Sequence, residues 1–193
     1  MGLVGDVEGG LQTALFLWAT MTIVRDIEMR RATPADAPAM AVAHLDSIHS
    51  IGPAFYSPEL VAAWAAAVSP EMYVKAMAGG EVFFIAVAAR HGEPEVLGFA
   101  SHVPKRGNDG ASAYVRGSAA RQGVGSALWR LAEAHARERG ATAITIEASL
   151  AGVAFYRAHG FVEIARCDAP LRNGAAIPCV VMRKDLTGAA AAE

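Results

Sequence analysis

Two closely spaced glycines, Gly123 and Gly125, lie within residues 122–126, directly before an amphipathic stretch. Glycine lets the backbone approach a ligand closely, and the first turn of a helix leaves its amide N–H groups without intrahelical partners. The helix dipole adds partial positive charge at the same end. Such a segment can hold an anion such as a pyrophosphate, although a purely structural glycine loop fits these residues equally well.

Two known phosphate-binding motifs do not fit this segment. A Rossmann dinucleotide fingerprint requires a third glycine, at the position where this chain has Leu128. A P-loop requires a lysine after its glycines, and Gly125 is followed by Ser126 and Ala127. The sequence therefore favours a phosphate cradle of another kind over a nucleotide- or dinucleotide-binding protein.

Hydrophobic periodicity and turn residues predict the elements that position this cradle. Strands are expected at residues 27–31, 82–88, 96–103, 111–116, 142–148, 161–168 and 177–184. Helices are expected at residues 34–51, 58–78 with a break at Ser69-Pro70, 122–139 and 151–159. The first helix has a start pattern, in which Thr33 is the N-cap, Pro34 the first helical residue and Asp36 the partner of a capping box.

The resulting order is β-α-α-β-β-β-α-β-α-β-β. It predicts an α/β (α+β) fold with a mixed, mainly antiparallel central sheet of about seven strands, flanked by helices on both faces. This order argues against a TIM barrel and against a doubly wound parallel sheet. We predict one domain at residues 26–186, an extension at residues 1–25 and a tail at residues 187–193.

The extension contains a largely apolar run at residues 11–24. At about 14 residues, the run is shorter than the roughly 20 that span a bilayer as a helix. Asp6 and Glu8 precede it without Lys or Arg, so the basic region of a signal peptide is missing. We interpret it as an added extension, with Met21 or Met29 as alternative starts; a helix packed on the domain or on a second subunit is the main alternative, and a membrane anchor the lesser one.

Composition narrows the class of protein further. Hydrophobic residues make up 53% of the chain and charged residues 19%, which is a globular composition. The formal net charge of −2 gives no reason to expect nucleic acid or an anionic membrane as a partner. Cys167 and Cys179 are expected to be reduced thiols in a cytoplasmic protein. The six histidines show no metal-ligand spacing, so no metal site is expected.

Two motifs together resemble the GCN5-related N-acetyltransferase (GNAT) superfamily. Residues 114–129, YVRGSAARQGVGSALW, are similar to its acetyl-CoA-binding motif, in which a strand leads through a loop into Gly-x-Gly and a long helix. Glu147-Ala148-Ser149, followed by Phe155-Tyr156 and Gly160-Phe161, is similar to its second signature. The resemblance covers about residues 27–186 and is to bacterial members whose substrates are unassigned.

The chain departs from the family pattern at two positions. Ala120 stands where the family usually has Gln or Arg, three residues before the first glycine, and Arg121 is expected to supply that charge. Ala151 stands where an Asn often precedes the Phe-Tyr pair, so one side-chain contact to the cofactor is expected to be missing. Neither change removes the backbone cradle.

The resemblance implies an enzyme that transfers an acetyl group from acetyl-CoA to a primary amine of a small molecule or peptide, directly in a ternary complex. A non-catalytic acyl-CoA-binding regulatory domain is the alternative. Family members often dimerise, so a homodimer is among the expectations. The cofactor-binding residues implied are Tyr114, Val115, Arg116, Arg121, Gln122, Gly123, Val124, Gly125, Ser126, Ala151, Phe155 and Tyr156.

The same resemblance suggests catalytic roles. A free N–H near Val115 is expected to polarise the thioester carbonyl. Tyr156 is the candidate general acid, because a phenol with a pKa near ~10 can protonate a departing thiolate whose pKa is ~8.5. The alternative is that Tyr156 only packs beside Phe155 and Phe161. His102 is the candidate general base, with a buried or surface structural histidine as its alternative.

Weaker candidates complete the predicted site. Glu81 and Glu147 are further candidate bases. The acceptor pocket is expected to form from His49, Phe55, Tyr56, Trp64 and the loop at residues 169–177, although aromatic residues at such spacing also occur in cores.

Overall fold

A computed structural model describes residues 27–90 and 92–187 of the chain. Within them the chain forms seven strands and five α-helices. The strands are β1 Ile27–Arg31, β2 Val82–Arg90, β3 Glu93–Val103, β4 Gly110–Val115, β5 Ala143–Ser149, β6 Val162–Pro170 and β7 Ala176–Asp185. The helices are α1 Ala37–Ile51, α2 Pro58–Ala66, α3 Pro70–Ala78, α4 Val124–Glu138 and α5 Val153–Ala158. The predicted extension at residues 1–25 and all but the first residue of the predicted tail lie outside the described residues.

The strands form two antiparallel sheets. The first has the order β1-β2-β3-β4, and the second has the order β5-β7-β6. The two sheets meet where β4 and β5 begin, through a parallel bridge between Asp109 and Ile144. The predicted fold class, a mainly antiparallel sheet of about seven strands, is therefore confirmed, with a division between the fourth and fifth strands.

Helices cover both faces of the first sheet, as the alternation along β2 shows. Phe83 and Ile85 pack into a core with α1 and α3, whereas Phe84 and Ala86 pack on the side of α4. A strand buried on both faces requires a continuous apolar run, because successive side chains point to opposite sides. This is the pattern of residues 82–88 in the sequence.

The amphipathic helix α4 packs against both sheets. Leu128 and Trp129 on its inner face are fully buried. The indole N–H of Trp129 donates to Glu133 at 2.9 Å, and Lys184 of β7 donates to the same carboxylate at 2.6 Å. The Lys184 bond therefore ties the middle of α4 to β7 of the second sheet.

The predicted helix start at Thr33 is confirmed in part. The backbone N–H of Thr33 donates to the Asp36 carboxylate at 2.8 Å, and Arg30 donates to the same side chain at 2.7 Å. The pKa of Asp36 is held well below its usual range, first by the Arg30 hydrogen bonds. The first turn at Pro34–Asp36 is a 3-10 helix, and α1 begins after it.

The two cysteines are bonded to each other. Cys167 and Cys179 lie opposite one another in the β6–β7 pair, and their Cα atoms are 5.1 Å apart. This separation is within the range that a disulfide spans. The expectation of two reduced thiols was wrong because a hairpin brings together residues that are 12 positions apart in the chain.

No helix among the described residues is both long and apolar enough to cross a membrane.

Candidate active site

A gap between β4 and β5 is the central feature of the site. At its closed end the N–H of Thr145 donates to the carbonyl of Asp109 at 2.8 Å. Beyond this point the two strands belong to different sheets and are not paired, so a gap in the backbone pairing separates them toward Val115 and Ser149 at their carboxyl ends. The open end of this gap lies on the side where α4 begins.

Backbone N–H groups of β4 point into this gap. The N–H of Arg116 donates to Leu97 of β3 at 2.8 Å. Because antiparallel pairing alternates along a strand, the N–H groups of Val115 and Ala113 point away from β3 and toward β5. The predicted donor at Val115 thus points into the gap.

The glycine segment at the start of α4 has the geometry of an anion cradle. Gly123 has a φ of 84° and Arg121 a φ of 63°, so the chain turns sharply before the helix. The N–H of Ala127 donates to the carbonyl of Gly123 at 3.0 Å. The N–H groups of the three preceding helical residues have no acceptor within the helix and are available to a ligand.

Gly125 allows three elements to meet at this cradle. A Cβ atom there would lie 3.3 Å from both Phe155 of α5 and Val115 of β4. Gln122 secures the loop from the other side, because its amide donates to the carbonyl of Ser118 at 2.8 Å. The close approach places the cradle directly beside the gap.

Two predicted cofactor-binding side chains face different surroundings. The guanidinium of Arg116 donates to the carbonyl of Val96 at 2.7 Å and lies 3.4 Å from Glu95, so it is engaged away from the cradle. Arg121 is exposed beside Gly123. The structure therefore leaves Arg121, rather than Arg116, as the cation next to the cradle.

One neighbour of the cradle was not predicted. Ser126 in the first turn of α4 lies 3.0 Å from the Nε2 atom of His159. His159 follows α5, and burial lowers its pKa, with nearby Lys184 acting in the same direction. Its position just before Gly160-Phe161, inside the second motif, was the signal that sequence reasoning could have used.

Tyr156 lies at the inner side of the gap. The side chain is 6% exposed and packs edge-on against Trp129 and Phe161. Burial raises its pKa well above the usual range, the phenol of Tyr114 adds to this effect, and a hydrogen bond from the N–H of Ala113 opposes it. The phenol is therefore protonated at neutral pH and adjacent to the strand that lines the gap.

Phe155 and Ala151 lie on the same side of the gap as Tyr156. Phe155 covers Gly125 from α5, in an edge-on contact with Tyr156. Ala151 lies in the turn before α5 and is half-buried. Its methyl group has no hydrogen-bonding atom.

The structure does not bring His102 to Tyr156. The imidazole is fully buried, with its Nε2 atom 2.7 Å from Asp109 and its Nδ1 atom 2.9 Å from His135. His102 pairs with Ala111, near the start of β4. Both ring nitrogens are thus engaged at the closed end of the gap.

The weaker candidate bases are also separated from Tyr156. Glu81 precedes β2 on the side of α3, and burial raises the pKa of its carboxyl. Glu147 lies on β5 with its side chain exposed.

Some residues of the predicted acceptor pocket come together in the core. Tyr56, Trp64 and Ile177 belong to one buried cluster, to which Tyr114 also packs. The Tyr56 hydroxyl donates to the carbonyl of Pro178 at 2.9 Å and accepts from the N–H of Leu150 at 2.7 Å. His49 and Phe55, by contrast, are exposed and stand apart from this cluster.

His44, on the core-facing side of α1, is a further polar residue beside this cluster and was not among the predicted site residues. Its ring centroid lies 3.7 Å from that of Tyr114, and its Nδ1 atom lies 2.7 Å from the Tyr73 hydroxyl. Burial lowers its pKa to about 3. A histidine between Met40 and Ile48 on a core-facing stripe was the signal available in the sequence.

Among residues 27–90 and 92–187, no group of three or more His, Cys, Asp and Glu side chains is arranged to hold a metal ion.

Solved structures share this architecture. A GCN5-related N-acetyltransferase from Rhodopseudomonas palustris is 30% identical, with a TM-score of 0.70 over 82% of this chain and 95% of that protein. A ribosomal-protein-alanine N-acetyltransferase from Brucella melitensis is 26% identical, with a TM-score of 0.59 over 82% of this chain and 99% of its own.

A more distant structure carries a ligand. The PaiA N-acetyltransferase from Thermoplasma acidophilum, solved in complex with coenzyme A, is 17% identical, with a TM-score of 0.65 over 82% of this chain and 98% of its own. At this identity the likeness shows a common fold. No curated protein has significant sequence similarity to this chain.

The fold and the site define an α/β protein with an anion cradle beside a divided sheet. The family model for the GNAT acetyltransferase domain matches residues 54–186, which is more than half of the chain. The chain therefore belongs to the GNAT acetyltransferase family.

Proposed function

We propose that this protein transfers an acetyl group from acetyl-CoA to a primary amine of a small molecule or peptide, directly in a ternary complex. The observation that carries the proposal is the free N–H cradle at the start of α4, immediately beside the gap between β4 and β5. Acetyl-CoA has a pyrophosphate that can bind to this cradle and an extended thioester arm that can lie in the gap. The complexes of similar proteins with coenzyme A and with acetyl-CoA support this assignment.

Each part of the site has a defined task in the proposed binding step. The N–H groups at residues 124–126 and the dipole of α4 hold the pyrophosphate, and Arg121 adds the nearby positive charge. The thioester arm lies between the strands, with its carbonyl oxygen accepting a hydrogen bond from Val115. This contact strengthens as negative charge develops on the oxygen during attack.

The proposed transfer is balanced in atoms and charge. The neutral amine nitrogen bonds to the carbonyl carbon, and the carbon–sulfur bond then breaks. The departing thiolate takes the phenolic proton of Tyr156, the amine proton passes to water, and water restores the phenol. Tyr156 is thus the proposed general acid, and no dedicated base is assigned because an already neutral amine needs none to attack.

The proposed compartment is the cytoplasm. Disulfides rarely persist there, because thiol reductants keep cysteines reduced. The Cys167–Cys179 bond is the observation that argues against this compartment.

Calorimetry and a thiol-release screen test the proposal. Acetyl-CoA and CoA should bind with micromolar affinity, and a panel of primary amines with acetyl-CoA should include at least one that releases free thiol. No binding of either ligand at millimolar concentration would remove the function altogether. Binding without thiol release from any amine would favour the alternative, a non-catalytic acyl-CoA-binding regulatory domain.

A further inference from the structure

Among buried side-chain nitrogen and oxygen atoms in the described part of the chain, one has no hydrogen-bond partner. The atom is Nε2 of His44, and the residue is 4% exposed. Leaving such a group unpaired in a protein interior is costly, so buried polar atoms nearly always have a partner in the protein, in water or in a ligand. The Nε2 atom is therefore a position where a partner is missing.

The surroundings of His44 connect it to the proposed active site. Its ring stacks on Tyr114, a residue of β4 whose neighbours Ala113 and Val115 point their N–H groups into the gap. Trp64 of α2 approaches His44 edge-on at 6.3 Å. His44 thus lies on the α1 and α2 side of β4, opposite the face that α4 covers.

The other ring nitrogen is already engaged. The Nδ1 atom lies 2.7 Å from the Tyr73 hydroxyl, which fixes the orientation of the ring. In one tautomer of the neutral ring, Nδ1–H donates to this hydroxyl and Nε2 carries a lone pair; in the other, the hydroxyl donates to Nδ1 and Nε2–H is a donor. Burial keeps the imidazole neutral, so in the first tautomer Nε2 can accept a hydrogen bond without removing the proton.

We propose that His44 binds the acceptor: its Nε2 atom accepts a hydrogen bond from the N–H of a primary amine carried on an aromatic or apolar group. The inference rests on the proposed acetyl transfer. A neutral amine that donates one N–H to His44 keeps its lone pair free to attack the thioester carbon. The aromatic rings of Trp64, Tyr56 and Tyr114 around this position favour an apolar group next to the amine. Entry of the acceptor displaces Trp64, the side chain that covers His44 from α2.

Two substitutions separate this role from a structural one. His44→Asn keeps a polar group near the Nδ1 position and removes Nε2, whereas His44→Gln places its amide near Nε2. With the amine that the screen identifies, His44→Asn should raise KM for the amine about tenfold, the loss of one hydrogen bond. His44→Gln should recover part of this loss, and both variants should bind acetyl-CoA as the wild type does. Equal KM values for the amine in all three proteins would overturn the proposal.

A spectroscopic measurement does not depend on turnover. In protein with ¹⁵N-labelled histidine and saturating CoA, benzylamine should shift the Nε2 resonance of His44, which His44→Asn assigns. Toluene has the same ring without an N–H donor and should leave this resonance unchanged. Two results contradict the inference: a protonated Nε2, or a resonance that benzylamine does not move because a buried water already occupies the position. If CoA does not bind, acetyl transfer fails as a function, and the benzylamine shift without CoA still reports on His44.

Discussion

Burial changes the chemistry of individual side chains in this site more than neighbouring charges do. Desolvation is the largest contribution to the raised pKa of Tyr156, and it raises the pKa of Tyr114 to about 12. The same effect lowers the pKa of His44 to about 3, since burial disfavours the charged form of every group. All three side chains are therefore neutral at physiological pH and act as hydrogen-bonding groups.

Replacement of Tyr156 by Phe tests the general acid. We expect kcat to fall about a hundredfold, while KM for acetyl-CoA stays within about twofold, because the phenol acts on the leaving thiolate and not on binding. The aromatic packing against Trp129 and Phe161 is retained in the variant. Steady-state kinetics at pH 7 and pH 9 should give the same loss, since the raised pKa keeps the phenol protonated at both values. Full turnover of the variant at saturating acetyl-CoA would remove Tyr156 from the mechanism.

Helix α4 is the element that matters most for the proposed cofactor site. A glycine with a positive φ lies at each of its two ends. Gly123 before the helix has a φ of 84°, and Gly140 after it has a φ of 79°. An added Cβ atom would meet no other atom within 4 Å at either position. Substitution at the two ends therefore costs similar backbone strain, but only Gly123 belongs to the proposed cradle.

The similar backbone conformation of Gly123 and Gly140 provides a matched pair of variants. Gly123→Ala and Gly140→Ala should each reduce the free energy of unfolding by about 1 kcal/mol, because left-handed backbone disfavours a residue with a Cβ atom. Only Gly123→Ala should also weaken CoA binding, by about fivefold or more, since its loop must shift and its N–H groups are then misdirected. Urea unfolding and calorimetry measure the two effects separately. The same CoA affinity in both variants would show that the loop does not bind the cofactor.

At the scale of the whole molecule, two sheets must be held apart at one end and together at the other. The Asp109–Ile144 bridge joins them at the closed end of the gap. At the open end the Tyr56 hydroxyl connects the turn between α1 and α2 to β7 through Pro178, and to the residue after β5, Leu150. This hydroxyl therefore fixes the far wall of the gap relative to α1.

Loss of the Tyr56 hydroxyl should affect both stability and ligand binding. Tyr56→Phe leaves the Leu150 N–H and the Pro178 carbonyl without their partner, which should cost about 1–3 kcal/mol of unfolding free energy. KM for the acceptor should rise as well, because the wall beside Trp64 is less well fixed. Phe55→Leu, at the neighbouring exposed position, is the control and should change stability by no more than about 0.5 kcal/mol. Urea unfolding of the two variants, followed by kinetics, distinguishes them. Equal free energies of unfolding would show that the hydrogen bonds of the Tyr56 hydroxyl do not stabilise the fold.

The elements and the cradle could be predicted from local sequence. The apolar run at residues 82–88, the amphipathic stretch of α4 and the glycines at its start express preferences of a few neighbouring residues, so their positions agree closely with the prediction. The helical region at residues 58–78 divides at the predicted break, Ser69-Pro70, into α2 and α3. The second motif likewise places Phe155 and Tyr156 on a short helix, since it too is a local pattern.

Contacts between distant parts of the chain were decided only by the tertiary structure. The Cys167–Cys179 bond depends on the register of a hairpin, and the direction of Arg116 depends on acceptors on β3. His102 was considered for its chemistry, yet its position on β3 places it between Asp109 and His135. Likewise, the Nε2 atom of His44 lacks a hydrogen-bond partner only because α1, α2 and β4 bury this side chain. Sequence by itself determined which segments form helices, strands and turns. Packing determined which side chains meet and which buried polar atoms lack a partner, because burial and pairing are properties of the assembled fold.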